Sequence, residues 1–272
     1  MLSIEEIVAL PVEADCPGVL TARALPIREI DGWQQQVMIF QPAASTLGMP
    51  AIMLVHGGGF QTGHPEACSY LGRYLALHLG VTVFAPNYRL GTPESPTFPK
   101  PVDDVAYAWS WLRENAAAWN VDAGKLFVGG SSAGGALTAL SLTTGRLPGC
   151  QGLVELWGPL DFITRWFDNG EQPGAERNLL GVNYPENPSL YHQASALTHV
   201  APGLPPAVFI YGRQDPVVHK RQGALGQAAW RAGGSRAEYA EFDNIGHAIV
   251  GDNRDQLCKV AVRVGEFLQS LI

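Results

Sequence analysis

A serine, an aspartate and a histidine stand in this chain in the surroundings that acyl transfer requires. Ser132 is the third residue of Gly130-Ser131-Ser132-Ala133-Gly134, a G-x-S-x-G pattern that follows the apolar run 126–128. In such a turn the serine sits on a strained strand-to-helix connection, which raises its hydroxyl above the sheet. Glycine is needed on both sides because a Cβ would meet the neighbouring strand or helix. The pattern predicts a nucleophile at Ser132, although G-x-S-x-G alone also matches by chance.

A serine nucleophile needs a base and a third group that orients the base. Asp215 follows the apolar run 207–211, and His247 follows the β-rich run 237–242. Both residues therefore come after a predicted strand, at the edge where the sites of open α/β sheets collect. Serine, aspartate, histidine is also one of the known chain orders of a hydrolytic triad. We predict that Ser132, Asp215 and His247 are catalytic.

Other residues could fill these roles. Asp161 also follows a predicted strand and is the second candidate for the acid, and His219 is the second candidate for the base. Asp243 and Asp252 flank the candidate histidine and are interpreted as solvated loop charges. The remaining histidines before Asp215 are interpreted as structural or pocket residues: His64, His78, His192 and His199.

A second glycine run, His56-Gly57-Gly58-Gly59-Phe60, directly follows the apolar run 51–55. Bare backbone there lets N–H groups approach a developing negative charge. We predict an oxyanion hole made by the N–H groups of Gly58, Gly59 and Ala133, with Gly57 shaping the turn. A phosphate-binding loop is the alternative, but the lysine and the serine or threonine of a Walker motif are missing.

Short apolar runs alternate with helical patterns along the chain, which predicts a mostly parallel sheet covered on both faces. Asp31-Gly32 predicts a hairpin turn, and hence an antiparallel N-terminal hairpin at one edge. Residues 1–18 carry little pattern and are expected to pack loosely at that edge. The predicted strands are 21–30, 34–40, 51–55, 81–85, the strand that begins at 126 and ends in the G-x-S-x-G turn, 152–157, 207–211 and 237–242. The predicted helices are 66–79, 101–119, 133–142, 217–232 and 260–271.

Residues 158–206 show no strand pattern and are rich in aromatic side chains. A segment of this length between two strands is typical of a lid or a binding loop. We predict a lid-like insertion within a single domain, 1–272, and an apolar pocket beneath it. The predicted pocket residues are Phe60, Trp157, Asp161, Phe162 and Trp166.

Composition excludes several classes of protein. The 272 residues are 46% hydrophobic with a net charge of −7, which favours one α/β domain and disfavours nucleic acid or a membrane as a partner. No apolar stretch approaches the roughly 20 residues that span a bilayer, and the N-terminus has no secretory pattern. The four cysteines are scattered, which disfavours a zinc site or a disulfide framework. We expect a cytoplasmic protein without metal or cofactor. The sequence is compatible with a monomer and with a homodimer.

Four motifs occur together: His56-Gly57-Gly58-Gly59, Asn87-Tyr88-Arg89-Leu90, Phe98-Pro99 with Asp103-Asp104, and the run 130–135. Together they resemble the hormone-sensitive-lipase-like esterases of the α/β-hydrolase fold. Pro188-Ser189-Leu190-Tyr191, with Pro205-Pro206 and Asp215-Pro216, is similar to compact acetyl and feruloyl esterases. The resemblance implies that fold and also an Arg89–Asp104 pair that holds the loop 91–100. A solvated pair, contributing under about 1 kcal/mol, is the alternative.

The expected reaction is hydrolysis of a carboxylic ester through an acyl-enzyme. A lid made from one segment predicts a short pocket that prefers acyl chains of about two to six carbons. An arylformamidase or other amidase, or a lactone-processing enzyme, would use the same triad. A non-catalytic receptor on this fold would be expected to lack part of the triad.

Overall fold

The computed structural model describes residues 1–247 and 254–272, so Asp252 lies outside the described residues. The strands are β1 Val19–Ile30, β2 Trp33–Pro42, β3 Met49–Val55, β4 Thr82–Pro86, β5 Val121–Ser131, β6 Cys150–Leu156, β7 Ala207–Gly212 and β8 Ala237–Phe242. They form one eight-stranded sheet in the order β1-β2-β4-β3-β5-β6-β7-β8. Pairing is parallel from β4 through β3, β5, β6 and β7 to β8. The prediction of a mostly parallel sheet is confirmed.

The N-terminal hairpin occupies one edge of this sheet. Strands β1 and β2 are antiparallel, with Ile30 opposite Trp33, and β2 pairs antiparallel with β4. The turn residues Asp31 and Gly32 have φ angles of 53° and 74°, the left-handed conformations that a tight hairpin turn of this kind needs. Asp31-Gly32 therefore predicts the hairpin correctly.

Two sets of helices pack together along the sheet. One set comprises α1 Ile4–Ala9, α2 Ser69–Leu79 and α9 Arg254–Gln269, which contact one another. In the other, α3 Lys100–Asn115 packs on α4 Ala133–Thr143. Helix α8 Arg221–Ala232 contacts β7 and β8. Helix α8 begins later than predicted, since the turn after Asp215 occupies the intervening residues. Among the described residues, no helix has the length and apolarity needed to cross a bilayer.

The N-terminal segment packs closely, which contradicts the expectation that residues 1–18 lie loosely at the edge. Ile7 on α1 is fully buried. The guanidinium of Arg73 on α2, itself 1% exposed, donates to the backbone carbonyls of Pro11, Val12 and Ala14. These bonds satisfy the polar backbone of a segment without strands. The expectation fails because the partner of this segment is a distant side chain that leaves no local pattern.

Residues 158–206, called the lid segment below, contain no strand, as predicted. They form the short helices α5 Phe162–Asp168, α6 Glu176–Leu180 and α7 Pro188–Ala194, with single 3₁₀ turns between or after them. Aromatic rings pack on one another within the segment, Phe162 and Tyr184 both contacting Tyr191 edge to face. The lid segment therefore has a small aromatic core of its own.

A buried carboxylate joins the hairpin, the loop after β4 and helix α3. Asp104 is fully buried, and the Arg89 guanidinium approaches its Oδ1 to 2.7 Å. Arg28 on β1 binds the same carboxylate. The pair implied by the resemblance is thus present, and the solvated alternative is wrong. Removing one partner of such a buried pair costs far more than a surface pair contributes.

Strand β6 buries another carboxyl group, and among the described residues no arginine or lysine pairs with it. Glu155 is fully buried opposite Gly130 in the β5–β6 ladder. Its Oε1 accepts the N–H of Gly158 at 2.6 Å, and the hydroxyl of Tyr211, which donates to the Gly158 carbonyl, lies beside it. Burial raises the pKa of Glu155 to about 8, against the opposing effect of these hydrogen bonds. The group is therefore mostly a neutral acid at pH 7.

Glu155→Gln is expected to stabilise the protein at neutral and alkaline pH. The pKa of this carboxyl rises from an ordinary 4.5 to about 8 on folding. The wild-type free energy of unfolding therefore does not suffer from this group below pH 4.5, and it falls as the pH rises from there to about 8. Glutamine is neutral at every pH and still offers an acceptor to Gly158. The Tm difference, variant minus wild type, should be small at pH 4.5 and grow up to pH 8.

Thermal unfolding across this range measures the effect, with Glu114→Gln as the control because Glu114 is exposed on α3. A Tm difference that does not grow with pH would contradict the neutral-acid interpretation.

Candidate active site

Ser132 lies on a strained turn between β5 and α4. Its φ is 52° and its ψ is −121°, a conformation that costs energy for any residue with a side chain. A Cβ on Gly130 would lie 2.4 Å from the backbone of Gly134, and a Cβ on Gly134 would lie 2.1 Å from the Val55 carbonyl oxygen. Both glycines are therefore required by the close approach of α4 to the strands.

The structure brings together the three residues that the chain order singled out. The Oγ of Ser132 lies 2.8 Å from Nε2 of His247, and Nδ1 of His247 lies 2.8 Å from Oδ2 of Asp215. The Asp215 side chain is fully buried, while His247 is 15% exposed. A histidine bonded on one side to a carboxylate and on the other to a hydroxyl can take the hydroxyl proton.

The rival residues have other partners. Oδ1 of Asp161 accepts the N–H of Ile163 and so caps α5. Nδ1 of His219 accepts the backbone N–H of Arg221 at the start of α8. Asp243 is 67% exposed and pairs with Arg213, as expected for a solvated loop charge. None of these contacts involves the Ser132 hydroxyl or the His247 imidazole.

The loop after β3 presents backbone N–H groups to the space in front of Ser132. Gly58 and Gly59 have φ angles of 124° and 59°, and a Cβ on Gly58 would lie 1.9 Å from the Thr62 carbonyl oxygen. Both glycines and Ala133 border the same cavity as Ser132. Within residues 1–247 and 254–272, no acceptor takes the N–H of Gly58, Gly59 or Ala133. These groups are available to an anionic oxygen.

His56 packs at the base of this loop, where its contacts are with Gly57 and Tyr88. Its Nδ1 lies 2.7 Å from the Gly57 carbonyl, and its ring stacks on Tyr88 with centroids 4.5 Å apart. Burial lowers the pKa of His56 to about 4. The imidazole is therefore neutral at physiological pH and acts as a structural part of the loop.

A cavity of about 720 Å³ opens in front of Ser132 and His247. One part of its lining belongs to the N-terminal segment, α2 and α9, and includes Val8, Leu10, Val12, Tyr70, Leu71 and Leu257. The other part comprises Trp157 after β6, the lid segment and the turn after Asp215, and it includes Pro159, Arg165, Ala175, Val217 and Val218. The sequence analysis does not predict the wall formed by Val8, Leu10 and Val12, because its only signal is the spacing of apolar residues in a short segment.

The predicted pocket residues divide into two groups. Phe60 and Trp157 border the cavity. Phe162, Trp166 and Asp161 are not among the described residues that do so. Phe162 is 1% exposed and packs edge to face on Phe60, with centroids 6.0 Å apart. Trp166 is 5% exposed and packs near Tyr184. A role of Asp161, Phe162 and Trp166 in the pocket stays a prediction. In the structure the two aromatic rings pack on other rings, and Asp161 caps a helix.

No group of three or more histidine, cysteine, aspartate or glutamate side chains that could hold a metal ion occurs in the described part of the chain.

The sequence is similar to several proteins that are named as esterases or hydrolases. Esterase LipQ of Mycobacterium tuberculosis is 30% identical over 80% of this chain and 55% of its own length. Carboxylesterase NlhH of the same species is 27% identical over 79% of this chain and 70% of its length. Ethyl acetate hydrolase of Pseudomonas putida is 35% identical over 47% of this chain and 40% of its length. The chain thus spans about half the length of some of these relatives.

Solved structures share the fold over nearly the whole chain. A truncated carbohydrate esterase from gut microbiota superposes with a TM-score of 0.79 at 19% identity, covering 93% of this chain and 95% of its own. The propionate-bound esterase Est2 of Thermogutta terrifontis superposes with a TM-score of 0.76 at 24% identity, covering 96% and 97%. The predicted α/β-hydrolase fold is confirmed. A family model described as BD-FAE matches residues 37–228, and the chain therefore belongs to the BD-FAE family of hormone-sensitive-lipase-like α/β-hydrolases.

Proposed function

We propose that this protein is a serine hydrolase of carboxylic esters. The observation that carries the proposal is the continuous hydrogen-bonded line from the Ser132 hydroxyl through His247 to the buried Asp215 carboxylate. The free N–H groups of Gly58, Gly59 and Ala133 border the same cavity. The names of the relatives, esterase and carboxylesterase among them, support ester chemistry.

The mechanism follows from this arrangement. As Ser132 Oγ attacks the ester carbonyl carbon, its proton passes to Nε2 of His247, and the N–H groups stabilise the carbonyl oxygen as it becomes negative. The imidazolium then gives the proton to the leaving alcohol, which leaves an acyl-enzyme. Water attacks the acyl-enzyme with His247 again as the base, and the acid product and free Ser132 result. Asp215 holds the imidazole in the required tautomer and stabilises its charged form.

The cavity supports small esters as substrates. Most of the wall opposite the lid segment is aliphatic or aromatic, with Val8, Leu10, Leu71 and Leu257 among its residues. Such a wall binds an acyl or aryl group by removing apolar surface from water. We propose that the substrates carry acyl chains of about two to six carbons. We also propose that the protein acts in the cytoplasm, because its four cysteines are free thiols, which suit a reducing compartment.

The first test replaces each of the two adjacent serines with alanine, one at a time. Ser132→Ala should abolish hydrolysis of p-nitrophenyl acetate except for a small residual rate, whereas Ser131→Ala should retain most activity because its hydroxyl is one residue off the turn.

Asp215→Asn should lower kcat by on the order of 10⁴-fold through the wrong histidine tautomer. Asp161→Asn is the matched acidic control. An active Ser132→Ala variant, or an Asp161→Asn variant as impaired as Asp215→Asn, would contradict the proposed roles. N-formylkynurenine as a parallel substrate separates ester from amide hydrolysis.

Chain-length selectivity tests the cavity wall. Each methylene buried in the cavity contributes about 0.8 kcal/mol, so kcat/KM should rise about fourfold per carbon from acetyl towards hexanoyl esters. Val8→Trp fills the N-terminal side of the cavity and should lower kcat/KM for hexanoyl but not for acetyl esters. Val262→Trp is the control, because Val262 is 40% exposed on α9 and does not border the cavity. A maximum at ten carbons or longer, or an equal effect of Val8→Trp on all esters, would contradict this account.

A further inference from the structure

We propose that Arg165, in the lid segment, is a positioning residue for Asp215 and acts through the peptide unit that joins Val217 to Val218. The proposal rests on the proposed function, since it concerns the acid of that triad. It couples the conformation of the lid segment to the orientation of the catalytic carboxylate.

The orientation of the Asp215 carboxylate is set by two backbone N–H groups. Oδ1 accepts from the N–H of Val217 and from the N–H of Val218, each at 2.8 Å. Oδ2 is thereby turned towards Nδ1 of His247 at 2.8 Å. The position of the turn 215–218 therefore decides how well the carboxylate meets the imidazole.

Arg165 binds the other end of one of these peptide units. Its Nη1 donates to the carbonyl of Val217, which belongs to the same peptide group as the N–H of Val218. A cationic donor on the carbonyl polarises the peptide and strengthens the N–H as a donor to a carboxylate. Arg165 thus supports the bond to Oδ1 both geometrically and electrostatically.

The guanidinium is itself held in place. Nε of Arg165 lies 2.9 Å from Oε2 of Glu176 on α6, and the two side chains are 6% and 0% exposed. The other oxygen of Glu176 accepts the N–H of Gly174 at 3.2 Å. A buried arginine that is held through Nε by a carboxylate keeps one orientation, so the helices of the lid segment fix where Nη1 meets the Val217 carbonyl.

Packing holds this turn at only one of its last three residues. Val218 is buried at 1% exposure, whereas Pro216 and Val217 are exposed, Val217 to 43%. A small cavity of about 90 Å³ lies beside the turn, bordered by Arg165, Asp215 and Val217. The Val217 carbonyl belongs to the exposed part of the turn, and the hydrogen bond from Arg165 ties that part to the lid segment.

The test removes both members of the ion pair, because a single deletion would leave a buried charge unpaired. The double variant Arg165→Met with Glu176→Leu should lower kcat for p-nitrophenyl acetate by about 10- to 100-fold, the scale of a small misplacement of a catalytic group, with little change in KM. The acid limb of the kcat/KM profile should move to lower pH, since a poorly aligned Asp215 stabilises the His247 imidazolium less.

The single variant Arg165→Lys keeps a charge for Glu176 and guards against a double variant that fails to fold. A lysine has no planar fork with which to bind Glu176 and the Val217 carbonyl together, so an intermediate loss of kcat is expected. The matched control is Arg221→Met. It removes the pair between Arg221 on α8, 50% exposed, and Asp168 in the lid segment, and it should leave kcat unchanged.

The double variant is also made in an Asp215→Asn background. If Arg165 acts through Asp215, the further loss of kcat there should be about twofold or less, because coupled residues are not additive. A full additional loss in that background would overturn the proposal, as would a change confined to KM, which would indicate direct contact with substrate. An Asp215→Asn variant with wild-type kcat is a different result, since it would overturn the triad itself.

Discussion

The site depends on how closely helix α4 approaches the sheet. Hydrogen atoms alone fit at Gly130 and Gly134, where a Cβ would come within 2.4 Å and 2.1 Å of neighbouring backbone. This approach holds Ser132 at a positive φ and places the first N–H groups of α4 beside its hydroxyl. A Cβ on Gly57 would lie 3.1 Å from the Ser132 Cβ, so the loop after β3 meets the elbow at the same point. The proposed nucleophile and the proposed oxyanion donors therefore depend on the same close approach of α4, β5 and the loop after β3.

The features that the sequence predicts well have local causes. Asp31-Gly32 specifies the hairpin because few residue pairs adopt two successive left-handed conformations. The G-x-S-x-G turn specifies the elbow because any Cβ there collides with backbone. Asp215 and His247 follow consecutive parallel strands, β7 and β8, whose carboxyl ends meet at one edge of the sheet. Order along the chain is enough to bring such residues together.

The features that the sequence does not predict depend on partners far along the chain. The N-terminal wall is held by Arg73, and Arg165 reaches the turn after Asp215 from the lid segment. Aromatic content identifies the lid segment but not the direction of each ring, so Phe162 and Trp166 lie in its core. Glu155, a carboxyl in an apolar strand, conflicts with hydrophobic patterning, and its neutral state follows only from the burial that the fold imposes.

Covalent labelling tests the central claim most directly. Diethyl p-nitrophenyl phosphate reacts with an activated serine and releases p-nitrophenol as the serine oxygen is phosphorylated. Intact-mass and fragment-ion spectrometry should show one diethylphosphoryl group per chain, on Ser132, with one equivalent of p-nitrophenol released and no label in the Ser132→Ala variant. A label on Ser131 or on another residue, or an unlabelled protein that still hydrolyses esters, would contradict the assignment of Ser132 as the activated nucleophile.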